Sequence, residues 1–332
     1  MVKHFLGLII LVNCLLVEKG LAQIDTLYYV SYDTMLAARV YFSQKYTNFR
    51  FVDRNEDIRI HYLPNTTLNL GVGATYKIAT LNFAYGFGFL NPDRDQGETK
   101  YLDLQCHIYG QGLLIDLFGQ FYRGFHLRND ELRDAEGSYY YRPDIRVQQI
   151  GFSGYWIVNK DRFSYRAGFL QNEWQKKSAG SFLLGWQLLF GGGTSDSTIV
   201  PSNLYSVPPV EGTKRLSFVE TGPSAGYAYT LVIKKHFFIM ASATITVDFS
   251  VNVLESPERV RSTSLVPNFG IKAFAGYNSR KSSISLTFTN ETVNLAAGKP
   301  EQLFGLNTGN LRLNFVHRFA FEWDFIPRQL IK

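Results

Sequence analysis

The sequence predicts an all-β fold, a transmembrane antiparallel up-and-down β-barrel of about fourteen strands, with twelve as the alternative. Three observations carry that expectation. The first is the stretch Asn310–Phe325. Its odd positions are Leu311, Leu313, Phe315, His317, Phe319, Phe321, Trp323 and Phe325, and its even positions include Arg312, Asn314, Arg318, Glu322 and Asp324. Successive strand side chains point to opposite faces, so this segment has one apolar and one mostly polar face. It exceeds the roughly 9–11 residues that a tilted strand needs to cross a bilayer. Second, similar stripes recur along the chain, and from Leu68 onward none contains Asp, Glu, Lys or Arg. A charge facing lipid costs about 2–4 kcal/mol at mid-depth, so its exclusion fits a hydrocarbon-facing wall, although a soluble core excludes charge too. Third, very short connections (77–78, 110–112, 159–161, 234–236, 278–281) alternate with longer ones (91–98, 125–144, 171–180, 251–267, 290–308). Short periplasmic turns and longer outer loops are a mark of membrane barrels. The competing readings are a soluble sandwich, whose strands are usually shorter, and a lipocalin-like barrel, which is smaller and packs its apolar face inward.

The elements follow in order. Lys3 and His4 precede an apolar run, Phe5–Val17, too short for the roughly 20 residues of a spanning helix. Gly20-Leu21-Ala22 then offers small residues to a signal peptidase. Residues 1–22 are therefore expected to be a cleaved signal peptide, 23–38 a periplasmic lead, 39–325 the barrel and 326–332 a tail. Arg39–Val52 is the first expected strand, its faces blurred by Lys45 and Arg50. An even-numbered stripe runs from Ile58, Ile60 and Tyr62 through Leu70 and Val72 to Tyr76. Pro64-Asn65 interrupts it, and because proline removes a ladder donor a bend or bulge is expected there. After Lys77–Ile78 the stripe moves to Ala79, Leu81, Phe83, Tyr85, Phe87 and Phe89. Further stripes lie over Leu102–Ile108, Leu113–Phe121, Ile150–Val158, Phe163–Phe169, Phe182–Phe190, Ala225–Ile233, Phe237–Phe249, Phe269–Tyr277 and Ile284–Phe288. The alternation of loop lengths fails only across Gly191–Lys214. A weak strand over about Ser195–Leu204 restores it and gives the even count, although Pro201, Pro208 and Pro209 oppose a regular strand there.

Composition narrows the function classes. Aromatic residues make up 15% of the chain and charged residues 19%, which suits strands that need be apolar only at alternate positions. Removing the leader takes Cys14 away and leaves Cys106 alone, so neither an internal disulfide nor a cysteine metal cluster is expected. The net charge of +6 is modest, and no Lys/Arg block interleaved with aromatics appears, so nucleic acid is not an expected partner. The expected partners are outer-membrane lipid and lipopolysaccharide, and a small solute if the lumen conducts. No cofactor is expected.

Several local runs carry a resemblance. Tyr62-Leu63-Pro64-Asn65, Leu70-Gly71-Val72-Gly73, Tyr122-Arg123-Gly124-Phe125 and Glu173-Trp174-Gln175-Lys176-Lys177-Ser178-Ala179-Gly180-Ser181 resemble a family of Bacteroidetes cell-envelope proteins described as a domain of unknown function. The last run is the most specific. The resemblance spans most of the mature chain, implies an outer-membrane barrel and lends no activity.

If the stripes face lipid, the other parity faces the lumen. That places Asp103, Gln105, His107, Asp116, Gln120, Tyr122, Arg166, Lys272, Arg312, Asn314, Arg318 and Glu322 inside. Mixed charges there either line a water path or pair into a plug. His107 with Asp103 or Asp116 suggests a hydrolase fragment, but no serine lies at adjacent lumen positions of that hairpin, and no catalytic residue is assigned. Glu173–Ser181 is expected in an outer loop, folding back so that Glu173, Lys176 and Lys177 meet lumen charges. The expected role is non-enzymatic: a passive small-solute channel or a structural envelope component. The alternatives are a lumen-site enzyme acting on lipid or lipopolysaccharide, and a surface-binding module using loops Phe125–Asp144 and Val251–Val266.

Overall fold

The computed structural model describes residues 24–320, apart from 78, 92–95, 129–138, 203 and the side chain of Ala79. The expected signal peptide, the tail 326–332 and the end of the closing stretch, Glu322 included, lie outside the described residues.

Among the described residues fifteen strands follow in order: β1 (Tyr29–Ser31), β2 (Met35–Asp53), β3 (Ile58–Leu63), β4 (Asn69–Tyr76), β5 (Ala79–Tyr85), β6 (Lys100–Tyr109), β7 (Leu113–Leu127), β8 (Tyr141–Ile157), β9 (Glu173–Gln175), β10 (Ala179–Thr194), β11 (Arg215–Ile233), β12 (Phe237–Glu255), β13 (Arg259–Asn278), β14 (Ser282–Ala296) and β15 (Gln302–Ala320). A short helix, α1 (Tyr165–Phe169), precedes β9. All pairings are antiparallel. Ten strands close the ring: β2, β3, β7, β8 and β10 to β15, with β15 returning to β2 from Ala320↔Met35 to Gln302↔Asp53. Among the described residues β3 and β7 pair through Tyr62↔Leu127 and Leu63↔His126, and Arg128 N donates to the His61 carbonyl at 3.1 Å. Below this seam, β4 pairs the start of β2 and carries β5, while β6 pairs β7. We call the end holding the start of β2 and the turns 110–112, 234–236 and 279–281 the inner end, and the opposite end the outer one.

Alternation sorts the wall into two zones of opposite polarity. In the inner zone apolar side chains point outward. Phe182, Leu184 and Trp186 of β10, Ile239 and Ile245 of β12, Ile271 of β13 and Leu313 and Phe315 of β15 are all exposed on the outside. Such a continuous apolar belt is what hydrocarbon covers, because in water it would be a very large unprotected patch. In the outer zone the stripe changes side. Phe49 and Phe51, Ile60 and Tyr62, Leu216 and Phe218, Leu254, and Phe304 and Leu306 point inward and form one buried core. Their outward neighbours include Arg50, Arg146, Gln148 and Arg261. The outer part of the barrel is therefore built like a soluble β-protein, with its apolar face inside.

Local geometry makes the changes of side. Between Tyr62 and Leu70 the irregular stretch 64–68 separates β3 from β4, so Tyr62 is buried inside while Val72 faces out. The sequence expectation of an unbroken even stripe across Pro64-Asn65 is thus corrected: the bend is present, but it reverses the face. In β7 a bulge at Gly124 shifts register between Arg123 and Phe125. Gly124 has a φ of 87°, and a Cβ there would lie 2.3 Å from the Glu98 carbonyl oxygen, so only glycine fits. Even residues up to Tyr122 face in; beyond the bulge Phe125 and Leu127 do.

Other expectations also change. Phe163–Phe169 is not a strand. Its apolar residues fold into the inner mouth, where Phe163, Tyr165 and Leu170 pack with Tyr109, Leu183, Phe238, Met240 and Phe274. Ser195–Leu204 is not a strand either; Ile199, Val200 and Tyr205 enter the outer core. Removing both from the count of fourteen leaves twelve. The closed ring itself has ten strands, neither fourteen nor twelve, and β4, β5 and β6 are additions to it on the inner side of the β3–β7 seam. Val251–Val266 is not a long loop, since β12 runs to Glu255 and β13 starts at Arg259. Phe125–Asp144 is likewise shortened from both sides by β7 and β8. The strands seemed to stop because the stripe switches parity where they leave the belt.

The belt makes a direct prediction. Ile271 is 52% exposed at the middle of β13, and Ile271→Arg is expected to destabilise the barrel by about 2–4 kcal/mol in lipid vesicles. Denaturant titration of refolded protein measures it; a cost near zero would mean that lipid does not cover this face.

Candidate functional site

Between the two apolar zones of the interior lies a polar chamber. Inward positions of β6, β7, β8 and β11 to β15 supply it, for the same alternation that points their neighbours into lipid. A cavity of about 80 Å³ in it is lined by Gln105 and His107 of β6, Asp116 and Gln120 of β7, Lys272 of β13, Thr287 and Glu291 of β14, and Asn310, Arg312 and Asn314 of β15. Seven of the sequence-predicted lumen residues meet there. The other described ones lie close by or at the inner mouth.

Charge pairing organises the chamber. Asp116 accepts from Tyr109 Oη at 2.7 Å and Lys272 Nζ at 3.1 Å, and lies 2.5 Å from His107 Nδ1. Lys272 also approaches Glu291 at 3.7 Å. Asp103 pairs with Lys45 at 2.8 Å and accepts from Gln120 and from Tyr122 Oη at 3.2 and 3.1 Å. The carboxylates thus sit beside cations, as burial demands. Lys45, which blurred the first strand in the sequence, is the inward partner of Asp103.

Three arginines are different. Arg39 donates to Thr75 Oγ1 at 2.5 Å and to the Leu170 carbonyl at 2.9 Å. Arg318, 2% exposed, donates to the carbonyls of Gln171 and Ser279 and to Asn278 Oδ1. Arg312 lies 4.4 Å from the Tyr41 ring centroid, and its Nε has no hydrogen-bond partner among the described residues. None of the three forms an ion pair with a carboxylate among the described residues.

Sequence reasoning passed over a second buried cluster. Glu220 on β11 and Asp248 on β12, both fully buried, are bridged by Asn268 Nδ2 at 2.8 and 2.7 Å. Both occupy the inward parity of their strands, so the alternation rule that found Lys272 marks them as well.

The inner mouth is filled by residues 159–178. Ser164 caps α1, its Oγ accepting from Ala167 N at 2.9 Å. β9 then pairs β1 through Tyr29↔Gln175 to Ser31↔Glu173. Glu173 and Gln175 point inward. Glu173 Oε1 meets Arg166 at 3.0 Å, and Gln175 accepts from Ser164 N at 2.8 Å while donating to the carbonyls of Arg162 and Lys177. Trp174 points the other way, donating to the Lys235 carbonyl at 2.9 Å and stacking on His236. The run singled out in the sequence is therefore the latch of an inner plug. Its expected outer location is corrected: it lies at the inner end. Of Glu173, Lys176 and Lys177, only Glu173 meets a lumen charge. Lys176 and Lys177 lie beside the rings of Trp174 and Tyr28. Arg166 reaches the interior from α1, not from a strand.

The outer mouth is closed by 195–214. Tyr205 Oη donates to Asp53 Oδ2, and Tyr62 Oη to the Ile199 carbonyl. Arg142 pairs with Asp144 through two 2.8 Å bonds and also holds Ser197 Oγ at 2.7 Å. Above the belt, hydrogen bonds from Arg142 keep the Asp144 carboxyl well below the usual carboxylate range, against a smaller opposing effect of burial. A depressed folded pKa stabilises fully above the unfolded value, roughly 4, and the contribution is lost as pH falls below it. The 195–214 segment is thus expected to resist pepsin at about pH 4 and to be cut as the pH approaches 1.5; equal cutting at both would remove Asp144 as its anchor.

A closed antiparallel ring with an apolar belt outside and paired charges inside defines a β-barrel of the outer-membrane type. More particularly, the chain belongs to the family described as "Domain of unknown function (DUF4421)", whose model matches residues 23–319. No curated protein sequence matches it. Among solved structures it is similar to the outer-membrane protease OmpT of Escherichia coli, with 8% identity, 86% of this chain and 97% of that chain covered, and a TM-score of 0.41. It is also similar to the β domain of the Bordetella autotransporter BrkA (8%, 85% and 100% covered, TM-score 0.36). An outer-membrane channel of Pseudomonas putida is a third such structure (10%, 91% and 100% covered, TM-score 0.29).

Proposed function

We propose that this protein is a non-enzymatic component of the outer membrane whose barrel is sealed at both mouths, a structural or binding element of the envelope and not an open pore. The observation that carries this reading is the pair of plugs. Residues 159–178 fill the inner mouth and 195–214 the outer one, each packed in an apolar cluster. Apolar, packed ends bar the axial passage that a passive channel needs. The chamber between them pairs most of its charges, which favours a fixed interior over a water path. Its His107–Asp116 pair has no serine or threonine hydroxyl hydrogen-bonded to the imidazole among the described residues, so the nucleophile of a hydrolase is not in place.

Planar-bilayer recording on the refolded mature chain tests the reading. Insertion without step conductance is expected. A steady open channel in the unmodified protein would restore the passive-pore function and overturn the sealed one.

A further inference from the structure

We propose that the chamber is reached sideways, from the membrane, through a slot between β5 and β6, and that it takes the small anionic head of a single-chain lipid. This goes beyond the sealed-barrel reading, which concerns the axial path alone.

The slot follows from the pairing. β5 has a ladder only with β4, and β6 only with β7; they share none with each other among the described residues. Two adjacent strands of the wall therefore carry unpaired edges inside the apolar zone, where an exposed backbone group is costly. The outer end of the gap is tied shut. Asn65 N donates to Thr99 Oγ1 and Asn65 Nδ2 to the Gly97 carbonyl, both at 2.8 Å, and Tyr101 Oη lies 2.8 Å from Thr67 Oγ1. No comparable tie joins β5 to β6 below it among the described residues.

Exposure shows the gap from both sides. Ala84 of β5 and Gln105 of β6 have inward parity yet are exposed, while inward residues across the barrel such as Ser242 and Thr246 are buried. The outward rim is apolar: Leu81, Phe83 and Tyr85 on one side, Leu102 and Leu104 on the other. An acyl chain matches that rim.

Behind the slot, Gln105 and Arg312 both line the 80 Å³ cavity. Arg312 is the cation there with no carboxylate partner, and Asn310 Oδ1 beside it is buried without a hydrogen bond. A phosphate or carboxylate head bearing one hydroxyl would accept from the first and donate to the second. Charge and the apolar rim thus select the same molecule, an anionic amphiphile with one tail.

Dodecyl phosphate is the probe, titrated by calorimetry into the full mature protein in a neutral short-chain detergent. Dodecyl maltoside and inorganic phosphate are the comparison arms. Saturable one-to-one binding of dodecyl phosphate alone is expected. Arg312→Gln should weaken it about tenfold or more. Ala84→Trp, which fills the slot and leaves the charge, should weaken it too. Heat-modifiable gel mobility checks that both variants fold. Inorganic phosphate binding equally well would mean that the anion arrives through water, and the lateral route would be wrong. Undiminished binding by folded Arg312→Gln, or no binding by the wild type, would overturn the proposal. So would a stable dimer joined through β5 and β6, since strand edges would then be the occupant. Loss of lipid binding leaves axial conductance as it is, and conductance is read without any lipid probe, so the two readings fail separately.

Discussion

Arg166→Ala is expected to loosen the inner plug without opening the barrel. Arg166 is 2% exposed and bridges Glu173 at 3.0 Å, Asp33 at 2.5 Å and the Lys77 carbonyl at 2.9 Å. It thereby ties α1 and β9 to the segment before β2 and to the β4–β5 turn. Removing it strands Glu173, itself 2% exposed, with no cation. Breaking a buried pair from one side costs about 3–5 kcal/mol, because the remaining charge stays desolvated. Amide exchange across the short β1–β9 ladder should accelerate at least a hundredfold, by roughly that free energy. The wall should hold, since its long ladders do not depend on the plug. Conductance should stay silent, because the outer core still closes the path. Combining Arg166→Ala with a glycine-serine replacement of 199–210 should then give steps in a planar bilayer. Conductance from the single variant would show that the outer mouth is not a seal. Unchanged exchange would show that Arg166 does not latch the plug.

The degree to which this was legible in the sequence divides along the same polarity boundary. Inside the belt one rule sufficed. A charge-free stripe facing lipid fixes the opposite parity as lumen, and Asp103, His107, Asp116, Lys272 and Arg312 were all found that way. The same rule marks Asp248 opposite the Phe237–Phe249 stripe, whereas Glu220 lies on β11 ahead of the stripe that begins at Ala225. Beyond the belt the rule misleads, because water replaces hydrocarbon outside and the apolar residues turn inward. Arg50 beside Phe49 and Phe51 then blurs the faces of a strand, and Arg261 beside Val260 reads as a loop. Phe163–Phe169 misled for another reason. Its spacing fits a strand, but Ser164 offers a cap and the segment is enclosed on all sides, where parity carries no information. The latch was visible as an unusual run, Glu173 to Ser181. Its end of the barrel was not, since one extra strand read over Phe163–Phe169 carries the run to the opposite end, and a second over Ser195–Leu204 restores the parity only after it.

The polarity boundary itself is tested on a single strand. Phe304 and Phe315 both lie on β15 and differ by the environment that alternation and height assign them. Phe304 is fully buried, stacked on Phe49 at 5.5 Å and tilted against Phe51 at 5.0 Å, which in turn meets Tyr205 of the outer plug edge-on at 4.9 Å. Phe304→Ala leaves a void among rings that cannot collapse, and a loss of about 3–5 kcal/mol is expected. Phe315 is 51% exposed in the belt. Its replacement by alanine leaves a space that acyl chains fill, so only the transfer term is lost, about 1.5–3 kcal/mol, with no cavity added. The sharper contrast is local. Phe304→Ala should release Tyr205 and let protease nick 195–214 in the folded barrel, and Phe315→Ala should not. Equal nicking in the two variants would mean that the outer core does not hold the plug, and the sealed interior would lose its main support.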